Sequence, residues 1–164
     1  MRADPTIVER DSQRYVAVKR VVTLQTMNEI ADRVPGLFGW LGTRGIAPAG
    51  PPFLRYNVID MERQLEVEAG VPVADVVSGE DPVFTGVLPA GRYVTVTHVG
   101  HPDGLIDATA SMLAWAAERG LVWDMVETAD GQHWGCRLEV FHTNPAEEPD
   151  IHKWETELVF RLAD

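Results

Sequence analysis

The run RLEVFHTNP, residues 137–145, places a glutamate between two apolar residues and an aromatic two positions further on. Side chains alternate across a strand, so Glu139 and Phe141 share one face of any strand formed here. A carboxylate with little access to water must find a partner or give up its charge, because burying it unpaired costs several kcal/mol. A lipophilic cation can be that partner, and each aromatic face beside it adds about 0.5–2 kcal/mol of cation–π attraction once desolvated. Aromatic surfaces also accept flat molecules of many shapes, since stacking has few directional demands. The chemistry on offer is selection for positive charge and apolar area, not for one substrate. Trp123, Trp134 and Trp154 lie close in sequence to this strand and are candidates to line such a cleft. A plainer role stays open for Glu139, as a solvent-facing residue or a cross-strand ion pair with Arg137 or Arg55.

Other chemistries find little to work with. His98 and His101 straddle a strand end and a glycine, with no cysteine or carboxylate cluster beside them, so no metal is expected. Cys136 is the only cysteine, which rules out an internal disulfide, and strand parity turns it away from Arg137 and Glu139 as a buried, inert thiol. No phosphate-binding glycine loop is present, and no cofactor is implied. The formal charge of −11 repels phosphate backbones without a basic patch to reverse it, which argues against nucleic acid as a direct partner. The start MRADPTIVERD lacks the apolar run of a secretory signal, and no stretch reaches the roughly 20 apolar residues of a spanning helix. A cytoplasmic protein without a membrane partner is expected.

The elements that must position these residues follow from periodicity and an internal repeat. RYVAVKRV at 14–21 and RYVTVTHV at 92–99 share Arg14/Arg92, Tyr15/Tyr93, Val16/Val94, Val18/Val96 and Val21/Val99. GWLGTRGI at 39–46 parallels AWAAERGL at 114–121, and QLEVEAGVP at 64–72 parallels RLEVFHTNP. Three matches in order, spaced by roughly 75 residues, indicate a tandem duplication. At 164 residues and 45% apolar content the chain suits one domain, 1–164, built of two modules at about 14–73 and 83–162. Each module reads strand, helix, strand, strand, which makes an α+β fold with pseudo-two-fold symmetry and a central ligand cleft.

In the first half, strands are expected at 15–22, within GPPFLRYNVID, and at 64–73, with a helix carrying Met27, Ile30, Val34, Leu37, Phe38 and Leu41 that Pro35-Gly36 kinks or splits. In the second, a strand at 93–99 precedes a helix that Asp103 caps, with Ile106, Ala110, Leu113 and Ala117 along its apolar face and Gly120 at its end. Strands follow at 121–127 and 135–142, and a last one at 154–162 is expected at an edge of the sheet; 74–82 is a linker. With helices on the face of Val16, Val18, Val94 and Val96, parity sends Leu138 and Val140 to the core. Glu139, Phe141, Tyr93, Glu66 and Glu68 then fall on the face away from the helices.

The order of LPAGRYVTVTHVG, a helix ending in LAWAAERGL, LEVFHTNP and WETELVF resembles the GyrI-like small-molecule binding domain. That domain is also the effector-binding part of AraC-type and MerR-type multidrug-responsive regulators. RGIAPAGPPFLRYNV and LEVEAGVPV fit the same family, so the resemblance covers about residues 8–162. It implies two related modules with a ligand cleft between them. The family's functional glutamate falls on Glu139, and its surrounding aromatics fall on Tyr56 and Trp154. Gly100, His101, Pro102 and Asp103 depart from the family's Gly-Pro-Tyr pattern at one edge of the cleft. No helix-turn-helix segment is seen, so a stand-alone member is expected. The expected ligand-binding set is Glu139, Tyr56, Phe141, Trp154, Trp123, Trp134 and Tyr93, while Trp40 and Trp115 are expected to pack in the core. Three functions stay open: a binder of lipophilic, often cationic aromatic molecules, a hydrolase of cyclopropanoid compounds using Glu139 and Tyr56, and a gyrase-inhibitor-like protein-interaction role.

Overall fold

Alternating apolar and polar residues bounded by glycine, proline and aspartate turns form most of the structure, as strand periodicity requires. A computed structural model describes residues 4–60 and 62–164. In chain order the elements are β1 (Thr6–Arg10), β2 (Gln13–Val22), α1 (Asn28–Ala31), α2 (Val34–Thr43), β3 (Phe53–Ile59), β4 (Leu65–Pro72), β5 (Phe84–Leu88) and β6 (Gly91–Val99). They continue with α3 (Leu105–Glu118), β7 (Met125–Thr128), β8 (Gly131–Trp134), β9 (Arg137–Phe141) and β10 (Glu155–Arg161). The strands make a curled antiparallel sheet in the order β1-β6-β10-β9-β3-β4-β2-β5, with β8 on the end of β3 and β7 on β8.

The helices cover one face. Ile30 of α1, Leu37 and Leu41 of α2, and Ala108 and Met112 of α3 pack on Val16, Val67, Val71, Val94, Leu158 and Phe160. Each fully buried large apolar side chain among these stabilises the fold by about 1.5–3 kcal/mol relative to exposure. The break between α1 and α2 falls at Asp32-Arg33, with Pro35 in the first turn of α2, where its missing N–H costs nothing. Both α2 and α3 end alike. Arg44 stacks on Trp40 at 3.9 Å and Arg119 on Trp115 at 4.1 Å. Gly45 and Gly120 follow at φ of 67° and 66°, the left-handed conformation that closes a helix cheaply only with glycine.

The opposite face carries a second cluster of Tyr15, Ala17, Phe53, Tyr93, Cys136, Leu138, Val140 and Val159. Phe53 lies over Gly70, where a Cβ would come within 2.5 Å of its ring, so the glycine makes room for the aromatic.

Four expectations are corrected. Leu138 and Val140 belong to the second cluster, so Glu139 and Phe141 face the helix side, the reverse of the expected assignment. The helices do lie on the face of Val16, Val94 and Val96, but parity within β9 cannot say how that strand aligns with β6, and through β10 both Val96 and Glu139 pair with Leu158. The final strand is internal, between β6 and β9, and the edges belong to β1 and β5. The LEV match joins strands in different places, because β4 runs between β2 and β3 whereas β9 runs between β3 and β10. Leu-Glu-Val is what any half-buried strand looks like, so the match carried no topology. Along α3 the buried stripe is Ala108, Met112 and Ala116, and Ile106 is 78% exposed; a short 3-10 turn, Pro102–Gly104, starts the helix one step later than an Asp103 cap implies.

Candidate ligand-binding site

The centre of the sheet is the pairing of β9 with β3, and there the functional side chains meet. Glu139 lies directly across from Leu54 on β3 and Leu158 on β10, both on the helix side. Tyr56, two residues along from Leu54, donates its hydroxyl to Glu139 Oε1. The β3–β4 register shifts at Asn57, a bulge that lets Tyr56 face the helices while Arg55 and Asn57 reach the other side. Glu139 Oε2 accepts no hydrogen bond among the described residues, and the residue as a whole is half-buried.

Arg137, two residues before Glu139 on the same face, stacks its guanidinium 4.3 Å from the Phe160 ring centroid and 4.8 Å from that of Trp134. Trp123, Trp134 and Phe160 form an aromatic triad with centroids 5.8, 5.8 and 5.5 Å apart. Burial pushes the Glu139 carboxyl above the ordinary carboxylate range, and the Tyr56 hydrogen bond and then the Arg137 charge hold it back. Burial also drives the Tyr56 hydroxyl well above its usual value, with the Glu139 charge adding to the effect. Arg137 is pushed down to about 10 by burial against the pull of Tyr56 and Glu139, which leaves it charged at neutral pH.

Of the residues expected from sequence, the structure therefore brings Tyr56, Glu139, Trp123 and Trp134 to one face, with Phe141 packed at the margin of the same cluster. It does not bring Tyr93 there. Tyr93 lies in the second cluster and donates its hydroxyl to the Pro89 carbonyl. It lines a cavity of about 460 Å³ on that face with Phe53, Leu138 and Val140, edged by Arg10, His142 and Glu157. Trp154 is held by the loop before β10, its indole N–H donating to the Glu148 carbonyl at 2.9 Å. Glu66 is exposed enough to pair loosely with Lys19 at 3.9 Å. Glu68 is buried and structural, bonded by Tyr15 at 2.6 Å and by Asn57 at 2.6 Å. Phe160 is the site residue that sequence reasoning missed, although its even-numbered parity with Leu158 on β10 is a signal that pairing with β9 would have exposed.

The family model of the GyrI-like small molecule binding domain matches residues 3–163. The chain belongs to this family. Among solved structures, the GyrI-like fold found here is similar to EcmrR in its complex with DNA, at 18% identity and a TM-score of 0.79. That likeness covers 99% of this chain but 58% of EcmrR, so the chain spans little more than half of that relative. The isolated C-terminal domain of EcmrR matches at 18% identity and a TM-score of 0.72, over 99% of this chain and 98% of that one. SAV2435 bound to tetraphenylphosphonium is similar at 9% identity and a TM-score of 0.60, over 98% and 94% of the two chains. A hydrolase from Listeria innocua is similar at 13% identity and a TM-score of 0.61, over 97% and 91%. At such identities the likeness is one of fold. Comparison with curated protein sequences gives no match. No helix among the described residues is long and apolar enough to cross a membrane.

Proposed function

We propose that this GyrI-like chain binds lipophilic aromatic molecules, cations among them, on the helix side of the sheet, between Tyr56, Glu139 and the aromatic triad. The observation that carries this reading is the Tyr56–Glu139 pair itself, a half-buried carboxylate with one oxygen held by a hydroxyl and the other without a hydrogen-bond partner among the described residues. That oxygen is not among the buried polar atoms without a partner, so it stays open to solvent, and a cationic ligand can take the place of that water. SAV2435 with tetraphenylphosphonium, a lipophilic aryl cation, supports the ligand class. The strand order supports the two-module architecture. Each half contributes its first, last and middle strand from the outside inwards, β2-β4-β3 and β6-β10-β9, so Tyr56 of one half meets Glu139 of the other at the junction. The charge of −11 and the single buried cysteine fit a cytoplasmic protein whose direct partners are small molecules, not nucleic acid.

Glu139→Gln is the test. It should weaken binding of tetraphenylphosphonium about tenfold or more, since a lost contact to a charged group costs roughly 1.5–3 kcal/mol, and should affect a neutral aryl analogue far less. Equal losses for both in calorimetric titration would mean that the carboxylate only shapes the site.

The same pair favours a second reading, hydrolysis of strained cyclopropanoid compounds. Glu139 can deprotonate an attacking water, and the Tyr56 hydroxyl can donate to the charge that develops as the ring opens. Incubation followed by mass spectrometry should then show the water-added product with multiple turnovers, slowed by Glu139→Gln and Tyr56→Phe. Unreacted compound alongside tight binding leaves the binding reading in place.

A further inference from the structure

Arg137 holds the place that a ligand's cation would take. Recognition of a lipophilic cation needs ring faces and a nearby carboxylate, and the Arg137 guanidinium already lies on Phe160 and Trp134 at 4.3 and 4.8 Å, next along the strand face from Glu139. Phe160 and Trp134 are 1% and 7% exposed, so a cation reaches these rings only by displacing the guanidinium. We propose that Arg137 sets the specificity of the site, so that the cleft prefers uncharged aromatic molecules bearing a hydrogen-bond acceptor over lipophilic cations. This inference rests on the reading that the Glu139 face binds aromatic small molecules.

Two further observations lead the same way. The charges of Glu139 and Arg137 cancel, so an entering cation meets repulsion from one where it gains attraction from the other. No hydrogen bond involves the Arg137 guanidinium among the described residues, and no ion pair of contact length joins it to Glu139. The five N–H donors of a guanidinium lie in its own plane, and the two rings beside it, set 63° apart, accept none of them as a lone-pair acceptor would. These donors are not among the buried polar atoms without a partner, so solvent reaches them, and a carbonyl or phosphoryl oxygen on a ligand can replace that water where a cation cannot. Cations still feel Glu139, but against the opposing charge.

Tetraphenylphosphonium and triphenylphosphine oxide separate the two cases, because both carry aryl groups on phosphorus and one is a cation while the other is neutral with a strong acceptor. Dissociation constants would be measured by calorimetry for the wild type, Arg137→Met and Arg137→Gln. Methionine keeps an apolar stem over the rings, and glutamine serves as the second variant if methionine perturbs folding. The wild type should bind the oxide more tightly than the phosphonium. Removing the charge should strengthen phosphonium binding tenfold or more and weaken oxide binding by a comparable factor, reversing the preference. Binding of both compounds with a ratio unchanged within twofold in the variants overturns the role of Arg137 while the binding site stands. A wild type that prefers the phosphonium also overturns it. Failure of every variant and the wild type to bind either compound removes the underlying site as well.

Discussion

Tyr15→Phe removes a single oxygen atom from the face of the sheet turned away from the helices, and its consequences can be worked out from the contacts. The Tyr15 hydroxyl donates to Glu68 Oε1 at 2.6 Å and accepts from Arg55 Nη1 at 2.9 Å. Asn57 holds the other Glu68 oxygen at 2.6 Å, and Arg55 Nη2 donates to the Gly135 carbonyl at 2.7 Å. Arg55 Nε is already buried without a partner, so the network has no spare acceptor to re-pair what the substitution frees. The ring keeps its edge-on packing against Phe53 at 5.2 Å, which leaves apolar burial unchanged and isolates the hydroxyl. Two hydrogen bonds to charged groups are lost at about 1.5–3 kcal/mol each, partly offset by the remaining attraction between Arg55 and Glu68, for a net cost of about 2–4 kcal/mol. In a domain of this size that lowers Tm by roughly 5–15 °C. Urea and thermal unfolding measure the cost, and titration with tetraphenylphosphonium should show affinity unchanged within twofold. A destabilisation below about 0.5 kcal/mol would mean that the network is open to water. A large fall in affinity would mean that the two faces are coupled, contrary to the separation drawn here.

Acidification should weaken phosphonium binding with a midpoint above that of a free glutamate side chain, because burial raises the Glu139 carboxyl and its protonated form has no charge to offer. Glu139→Gln should abolish this dependence in titrations across pH. For folding the sign is opposite: a carboxyl raised in the folded state contributes fully below its unfolded pKa and loses that contribution as pH rises through the folded value. Glu139→Gln, which mimics the protonated form, should accordingly match or exceed the wild type in urea unfolding at neutral pH. Met112→Ala, at a fully buried position of α3, should cost about 2–5 kcal/mol, whereas Ile106→Ser on the same helix should change stability by less than about 0.5 kcal/mol.

Much of the local structure was legible in the sequence because its causes are local. The alternation of RYVAVKRV and RYVTVTHV specified β2 and β6, whereas the helix break expected at Pro35-Gly36 falls earlier, at Asp32-Arg33, and α2 runs through the proline in its first turn. The Trp-Arg-Gly match between the two helices proved to be one shared way of ending a helix, a stacked arginine followed by a left-handed glycine. What could not be read were facts about partners. Strand order depends on which edges meet, so β10 was placed at an edge and the short strands β1, β5 and β8 went unseen. The face occupied by Glu139 depends on how β9 aligns with β10 and β6, where Val96 and Glu139 both pair with Leu158, and alternation within one strand carries no information about that. Tyr93 lies on the face away from the helices as expected, and it parts from Glu139 because Glu139 is on the other face. The hydrogen bond from Tyr56 to Glu139 joins residues 83 positions apart, and the family resemblance, not periodicity, put them together beforehand.

The sheet carries a tyrosine–carboxylate pair on each face, and the difference between them identifies the one suited to a ligand. On the face away from the helices, both oxygens of Glu68 are engaged, by Tyr15 and Asn57, and a guanidinium closes the group from the side. That carboxylate is 6% exposed and has nothing left to offer a molecule from outside. On the helix side, Glu139 has one oxygen engaged by Tyr56, and the nearby guanidinium of Arg137 is stacked on rings without bonding to it. The first pair is a closed structural network that holds β2, β3 and β4 together. In the second, an acceptor and a set of donors remain unspent beside aromatic surface in a half-buried setting. Arg55 Nε is the buried polar atom without a partner among the described residues, so the free groups of the second pair are open to exchange with a molecule from outside, which is what the proposed function requires of them.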